Sequence, residues 1–321
     1  MPNVVKKNIS GLLLFDKSVG DSSNQALQKI KRIFNAKKVG HTGTLDPLAS
    51  GLLPLMFGHA TKFASSLLEA TKTYEATVKL GFKSSTGDAE GVLVPAQTMP
   101  DQLDLTLEKV LHVASTLLGE QQQLPPMYSA LKYQGKPLYE FARQGLEIDR
   151  KARTIFIQSL GGLTLNRVND EWLVRFEVSC SKGTYVRTLA EQLANCLGTE
   201  GYLVALRRTK IAQFDLKYAV GLSQIQMLFG DDDALQRLLL PIDSLLSNLA
   251  RKQITPCLAQ RFIQGQRLVL QADQDQPGRH SVYCNSESGL DQFIGTGILE
   301  LHGDHALLRP ERIIQDIQEN L

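Results

Sequence analysis

The sequence predicts a protein of mixed strands and helices, followed by a smaller β-rich part. Strict alternation of apolar and polar residues over 74–80 and 172–180 predicts strands with one buried face. Apolar residues at helical spacing after Asp21 or Ser22 predict an amphipathic helix. From residue 249 onward, short apolar runs are separated by Gly, Pro, Asp and Asn. These patterns predict two domains, residues 1–248 and residues 249–321.

Composition narrows the classes of protein to consider. The chain has 321 residues, of which 43% are hydrophobic and 21% charged, as in ordinary globular proteins. Its four cysteines form no C-x-x-C pair and its six histidines complete no zinc-ligand spacing, which predicts reduced thiols in the cytoplasm and no metal. Residues 1–10 lack the apolar segment of a secretory signal, and no apolar run approaches the ~20 residues of a membrane span.

Charge is distributed unevenly along the chain. The net charge is only +2, but residues 1–75 carry ten Lys and Arg against five Asp and Glu. A basic N-terminal portion is typical of a protein that binds a polyanion. A solvated charged surface would explain the same count.

The elements of the first part can be predicted in order. Residues 11–17 predict a short buried strand, and residues 22–34 predict the amphipathic helix whose other face is basic. Residues 104–118 predict a second amphipathic helix, and residues 155–165 and 172–180 predict a hairpin. Residues 181–184 break the second strand, and a helix is predicted to begin at Tyr185. Four further strand-like runs are expected in the C-terminal part, at residues 267–270, 280–284, 292–298 and 305–308.

The stretch from Lys38 to Leu53 is the most unusual in composition. It holds three glycines, one proline, one histidine and a single carboxylate, Asp46. Glycines permit positive φ angles and proline fixes φ, so such a loop can hold one carboxylate in a defined place. A tight turn in which Asp46 only caps backbone N–H groups fits the residue types equally well.

A second unusual stretch, residues 122–153, interleaves tyrosines with lysines and arginines and has no clean period. Aromatic rings stack on bases and cations neutralise phosphates, so this stretch predicts an insertion that grips nucleic acid. The alternative is a proline-punctuated loop with buried tyrosines.

Six stretches, in order, resemble one family. The run from Gly40 to Leu53 resembles the catalytic motif of the TruB-type tRNA pseudouridine synthases, also found in the catalytic subunit of the box H/ACA particles. Residues 11–17, 72–74, 127–132, 180–189 and 206–209 agree with the family as well. The resemblance covers residues 10–215 and is weak over the last seventy residues.

The resemblance implies an α+β fold, with a large mixed, mainly antiparallel sheet and a small PUA-like C-terminal domain. It implies a bacterial, stand-alone enzyme that converts uridine 55 in the T-loop of tRNA to pseudouridine, without cofactor or metal. We therefore expect tRNA as the partner, no membrane, no obligate protein partner, a monomer, and a cytoplasmic location. The alternatives are a non-enzymatic tRNA-folding factor, for which Asp46 would be unnecessary, and a synthase that acts on another RNA. A glycosidase is disfavoured, because no second acid lies in these motifs.

Roles for individual residues follow from the resemblance. Asp46 is expected to be the catalytic carboxylate, kept ionised by an ion pair with Arg187, whose planar guanidinium can bind a carboxylate bidentately. Tyr74 is expected to stack on the flipped uracil and to help remove the C5 proton. The expected RNA contacts are His41 in the place the base has left, Tyr185 and Leu206 around the base, and Lys17, Lys38, Lys132, Lys182, Arg207 and Arg208 on phosphates.

Overall fold

The computed structural model describes residues 5–272, 276–285 and 291–314. Residues 1–4, which belong to the stretch used to exclude a secretory signal, and residues 315–321, the end of the predicted second domain, lie outside the described residues. No described helix combines the length and the apolar character needed to span a bilayer.

Strands and helices alternate irregularly up to residue 248. The strands are β1 (Gly11–Lys17), β2 (Val39–His41), β3 (Ala49–Phe57), β4 (Lys72–Leu80), β5 (Phe82–Ser84), β6 (Leu93–Pro95), β7 (Gly119–Gln123), β8 (Lys132–Tyr133), β9 (Lys136–Pro137), β10 (Arg153–Val168), β11 (Glu171–Cys180), β12 (Gly201–Ile211), β13 (Phe214–Asp215) and β14 (Val220–Gly221). The helices are α1 (Ser23–Ile33), α2 (Ser65–Leu68), α3 (Leu107–Thr116), α4 (Leu138–Ala142), α5 (Val186–Cys196), α6 (Leu222–Met227) and α7 (Asp232–Arg237). Single 3₁₀ segments lie at Gly58–Phe63, Pro100–Gln102, Leu216–Tyr218 and Ile242–Leu246.

A ten-stranded mixed sheet dominates the described part of the chain. Its order is β14–β1–β3–β12–β4–β11–β10–β7, with β2 paired to β3 and β13 paired to β12. Only the β1–β14 and β3–β12 pairs among these strands are parallel. The predicted α+β fold with a mainly antiparallel sheet is therefore confirmed.

Strand β1 shows why the predicted apolar run has no alternation. Leu13 and Phe15 face a core that includes the apolar sides of α1, α3 and α5. Leu12 and Leu14 face a second core that contains Phe262 and other residues of the C-terminal part. A strand buried on both faces has no need of polar positions.

The C-terminal part is a five-stranded sheet with one helix. Its elements are β15 (Ala250–Ile254), α8 (Pro256–Ile263), β16 (Leu268–Gln271), β17 (Gly278–Cys284), β18 (Gln292–His302) and β19 (His305–Ile313), in the sheet order β15–β17–β18–β19–β16. The four predicted runs are strands, whereas β15 and α8 were not predicted. β15 begins close to the predicted boundary at 248/249, but Phe262 packs in one core with Met56 and Phe63. The division into two domains therefore stays a prediction.

Helix α1 leads the chain into the glycine-rich stretch. Its N-cap is Ser22, whose hydroxyl accepts a hydrogen bond from the Gln25 amide while the Gln25 side chain accepts from the Ser22 amide. This capping box explains why the helix begins at Ser23 and not earlier. After α1 the chain forms β2, then the loop 42–48, and then enters the sheet as β3.

Candidate active site

The loop 42–48 carries Asp46 between β2 and β3. The amide of Ala49 donates to the carbonyl of Asp46 over 3.0 Å, which closes a tight turn around the acid. Gly43 has φ +66°, and a Cβ there would lie 3.2 Å from the Arg208 guanidinium. This position therefore needs glycine both for its backbone angle and for the space.

A cavity of about 310 Å³ opens beside this loop. Its walls include residues 43–46, 129–131 and 183–187, together with Tyr74 on β4 and Leu206 on β12, and the cations Lys72 and Arg208. Asp46, Tyr74, Tyr185, Arg187 and Leu206 thus line one cavity, although they are scattered along the chain. β12 makes this possible because it pairs with β3 on one side and β4 on the other, with Leu206 opposite both Ala49 and Ala76.

The predicted ion pair between Asp46 and Arg187 is present. An Arg187 terminal nitrogen (Nη2) lies 3.1 Å from Asp46 Oδ2. The Arg187 side chain is 7% exposed and that of Asp46 is 43% exposed, so the cation is buried while the carboxylate opens into the cavity.

Arg187 is shared among several acceptors. Nη1 donates to the Thr86 carbonyl at 2.7 Å and lies 3.4 Å from Asp88 Oδ2, while Nη2 donates to the Tyr128 carbonyl at 2.6 Å. A guanidinium can hold such a fork of acceptors because its five N–H donors have fixed directions. The side chain therefore ties the polar loop 84–91 and the insertion to α5.

Asp88 is a second acid beside Arg187, and it lies in the loop 84–91, outside the stretches that carry the family resemblance. Its side chain is 3% exposed, and Oδ1 accepts from the Thr86 hydroxyl at 2.6 Å and from the Glu90 amide at 3.1 Å. The sequence carried no signal for this placement, because Asp88 lies 99 residues from Arg187 in a loop of ordinary turn composition.

Burial raises the pKa of the Asp46 carboxyl above its usual value of 3.8. The Arg187 guanidinium opposes this rise, nearby Asp88 adds to it, and Lys17 opposes it weakly. The Arg187 guanidinium thus favours the ionised form, as expected, but desolvation is the larger effect and the pKa lies above its usual value.

Two tyrosines, Tyr74 and Tyr185, line the cavity. Tyr74 is 8% exposed, and burial raises the pKa of its phenol above 10, although Arg208 across the β4–β12 ladder opposes the rise. The backbone of Tyr185 is held by the buried Gln123, whose side chain accepts from the Tyr185 amide at 2.8 Å and donates to its carbonyl at 3.1 Å. No local pattern in the sequence indicates this anchor at the end of β7.

Two of the cations predicted to contact phosphate are buried instead. The Lys17 ammonium donates to the carbonyls of Ser18 and Asp21 at 2.8 and 2.7 Å, and burial lowers its pKa to about 8. Arg208 has no exposed surface, and its Nε donates to the Leu52 carbonyl at 2.7 Å. Both side chains point inward from strands of the central sheet, and Arg208 lines the cavity, so neither lies on the outer surface and their phosphate contacts stay a prediction.

The other basic residues predicted to contact the RNA differ in exposure. Lys38, Lys132 and Lys182 are exposed, and Lys182 forms an ion pair with Glu69. Arg207 is partly exposed and lies 2.7 Å from Asp16. His41 is half-buried on β2 opposite Leu55 and is not one of the residues that line the cavity. Burial and the nearby Arg208 lower the pKa of its imidazole.

The predicted insertion is built on the outer strands of the sheet. It leaves β7, forms the β8–β9 hairpin and α4, and returns at Arg153 of β10, which pairs with Gln123. Tyr133 and Tyr139 are 41% and 36% exposed, and Arg143 lies over the Tyr139 ring at 5.4 Å. Since residues 129–131 also line the cavity, an exposed aromatic and basic surface is continuous with the site.

Two family models together match most of the chain. Residues 31–186 match the N-terminal domain of the TruB family of pseudouridylate synthases. Residues 187–247 match the tRNA pseudouridylate synthase B C-terminal domain.

Curated relatives match almost end to end. A tRNA pseudouridine synthase B of Burkholderia mallei is 44% identical over 98% of this chain and 96% of its own. Those of Ralstonia pickettii and Nitrosospira multiformis are 44% and 45% identical, and cover 96% and 97% of this chain and 95% and 97% of their own.

Solved structures with the same fold are more distant in sequence. A chain of a Cbf5–Nop10–Gar1 complex superposes with a TM-score of 0.68 at 22% identity, over 94% of this chain and 84% of its own. A chain of an H/ACA RNP bound to a substrate RNA that contains 2′-deoxyuridine gives 0.66 at 20% identity, over 95% and 86%. The matched domains and the near-complete alignment to the bacterial relatives establish that this chain belongs to the TruB family of pseudouridylate synthases.

Proposed function

We propose that this chain isomerises uridine to pseudouridine at position 55 in the T-loop of tRNA. The observation that carries the proposal is the half-exposed carboxylate of Asp46, held 3.1 Å from the buried Arg187 at the wall of a cavity. Support for tRNA as the substrate comes from the bacterial relatives, which are named tRNA pseudouridine synthase B.

In the proposed reaction the N-glycosidic bond breaks, uracil turns in place, and its C5 rejoins C1′ of the ribose. Asp46 either attacks C1′ or removes the 2′ proton, and in both routes it must be ionised. The Arg187 contact favours that form, against the desolvation that raises the Asp46 pKa. The proposed isomerisation needs no hydride transfer and no metal ion.

Tyr74, Tyr185 and Leu206 are proposed to enclose the flipped uracil. Extrusion of a base costs a few kcal/mol, and a pocket with aromatic walls offsets this cost by stacking. Because burial raises the Tyr74 pKa, its phenol is protonated near neutral pH. C5 has a proton to lose only after its bond to C1′ has formed, so Tyr74 would act at that stage, and its phenol must pass its own proton to water as it takes the C5 proton.

The RNA is proposed to cross the surface formed by the insertion and the exposed lysines. Lys132 lies in this insertion. Lys38 precedes the loop 42–48 in sequence, and Lys182 lies at the junction between β11 and α5. Their ammonium groups neutralise phosphates, so tRNA affinity falls with rising salt. His41 is proposed to meet the RNA where the base has left.

We further propose that the protein works in the cytoplasm as a stand-alone monomer. Cysteines 180, 196, 257 and 284 are free thiols, which is usual in a reducing compartment. A pure folding factor would have no use for a carboxylate with a buried counter-ion, which favours an enzyme.

The test is incubation with an unmodified tRNA transcript, followed by carbodiimide treatment and primer extension to map pseudouridine. Wild type should give one stop at position 55, and Asp46→Asn should give none. Asp101→Asn, which changes an exposed carboxylate on the surface, is the matched control and should behave as wild type. Wild-type tRNA binding without a stop would instead favour a folding factor, and stops only in another RNA would favour a synthase with a different target. An Asp46→Asn variant with full activity would end the proposal.

A further inference from the structure

The side chain of Ser23 holds the loop that carries Asp46. Ser23 is the first residue of α1 and is 1% exposed. Its hydroxyl accepts a hydrogen bond from the Leu45 amide at 2.7 Å and donates one to the Leu45 carbonyl at 3.0 Å. One hydroxyl thus satisfies both backbone polar groups of the residue that precedes Asp46.

The loop 42–48 has few other anchors. Within the described residues it forms no strand or helix, and its turn is closed by the Ala49 amide on the Asp46 carbonyl. The second anchor from outside the loop is the Gly20 amide, which donates to the Pro47 carbonyl at 2.8 Å. These two anchors of the loop backbone come from Gly20 and Ser23, just before and at the start of α1, whereas Arg187 contacts the Asp46 side chain.

Lys17 fixes the connection between β1 and α1 in turn. Its buried ammonium binds the carbonyls of Ser18 and Asp21 from within, on either side of Gly20. The buried Lys17 ammonium therefore holds the backbone of the connection in place. We call the segment 17–23 the clamp. The Lys17 ammonium binds carbonyls within this segment, and the Ser23 hydroxyl binds the backbone of Leu45 in the loop.

We infer that Ser23 is a positioning residue for Asp46. Its hydroxyl holds the loop so that the carboxylate lies at the right distance from the reacting sugar. The inference rests on the proposed function. Leu45 is 3% exposed, so loss of the hydroxyl leaves a buried N–H and a buried C=O unpaired. The loop then relaxes to find other partners, and a displacement of about 1 Å at a reacting group can cost about a hundredfold in rate.

The adjacent serines of α1 provide a matched pair of variants. Ser22→Ala removes the N-cap and so destabilises the same helix, but it leaves both Leu45 hydrogen bonds in place. Ser23→Ala keeps the cap and removes the Leu45 hydrogen bonds. Thermal midpoints from circular dichroism measure the destabilisation of each variant.

Single-turnover pseudouridine formation and tRNA affinity are then measured for both variants at saturating enzyme. Ser23→Ala should slow the chemical step by about 10- to 100-fold, with the tRNA dissociation constant within about twofold of wild type. Ser22→Ala should retain the wild-type rate at a temperature well below its midpoint. If Ser23→Ala does not fold, Ser23→Cys takes its place, since a thiol fits the site but is a weak donor and acceptor, and it should also be slower than Ser22→Ala.

The pH profile separates positioning from simple loss of stability. A looser loop weakens the Asp46–Arg187 contact, so the Asp46 pKa rises and the acid limb of the Ser23→Ala rate moves to higher pH. The limb of Ser22→Ala should not move. Equal rates for the two variants, or a Ser23→Ala defect confined to tRNA affinity, would overturn the inference.

Hydrogen exchange at the Leu45 amide tests the anchor without reference to activity. Exchange should be faster in Ser23→Ala than in Ser22→Ala, and equal protection would contradict the clamp. If wild type forms no pseudouridine in tRNA while this difference is found, the proposed function fails and the anchor stands.

Discussion

Replacement of Arg187 by methionine should damage folding and catalysis together, and a second substitution should separate the two effects. Arg187 contacts Asp46, Asp88 and two backbone carbonyls at 2.6 to 3.4 Å. Without it the Asp88 carboxylate, 3% exposed, is a buried charge with no counter-ion. Removal of one partner of a buried ion pair costs about 3–5 kcal/mol, a large share of the ~5–15 kcal/mol that stabilises a typical domain.

Addition of Asp88→Asn should recover part of that loss. The amide keeps an oxygen for the Thr86 hydroxyl and the Glu90 amide, while the buried charge is gone. We expect the double variant to regain about 1–3 kcal/mol relative to Arg187→Met alone. Activity should not return, because Asp46 still lacks its counter-ion, and the single-turnover rate should stay at least about a hundredfold below wild type.

Urea unfolding followed by circular dichroism gives the free energies of unfolding, and primer extension after carbodiimide treatment gives the rates. Arg175→Met, which changes an exposed arginine on β11, is the control and should alter neither quantity. A double variant as unstable as Arg187→Met would refute the assignment of the stability loss to the Asp88 charge. A double variant with restored activity would refute the role of Arg187 as counter-ion of Asp46.

Three further predictions concern single groups. Because burial raises the Asp46 pKa and the ionised form is required, the single-turnover rate should fall with decreasing pH, with an apparent pKa above 3.8. A rate that stays unchanged down to pH 4 would contradict this. Lys132→Ala should lower the slope of log affinity for tRNA against log salt concentration by about one, as tRNA titrations at several salt concentrations can measure. Lys17→Met should leave this slope unchanged but lower the midpoint of thermal unfolding, because Lys17 is buried. Tyr74→Phe should bind tRNA normally but release little pseudouridine, and full activity in the primer-extension assay would exclude a role of the phenol in proton removal.

Local pattern was sufficient for most of the elements. The period-2 alternation of β4 and β11 and the helical spacing of α1 and α3 each depend on one face that is buried against the core. Pattern failed where the element was short. The helix α8 and the strand β15 were missed, because five to eight residues carry too few repeats to show a period.

Within the site, the sequence indicated residues that the structure brings together, but it did not indicate which cations are buried. The resemblance pointed to Asp46, Tyr74, Tyr185, Arg187 and Leu206, and the structure brings these five to one cavity. Lys17 and Arg208 looked like surface cations, since residue type does not reveal which way a strand side chain points.

The sequence by itself determined the family resemblance, because the six motifs are runs of neighbouring residues, and the expected chemistry followed from that resemblance. Only the tertiary structure decided what holds that carboxylate in place. Asp88, Gln123 and Ser23 reach the site through hydrogen bonds to residues far from them along the chain, with separations of 99, 62 and 22 positions. Such contacts follow from the register of a ten-stranded sheet and the packing of helices on it, which no local pattern encodes.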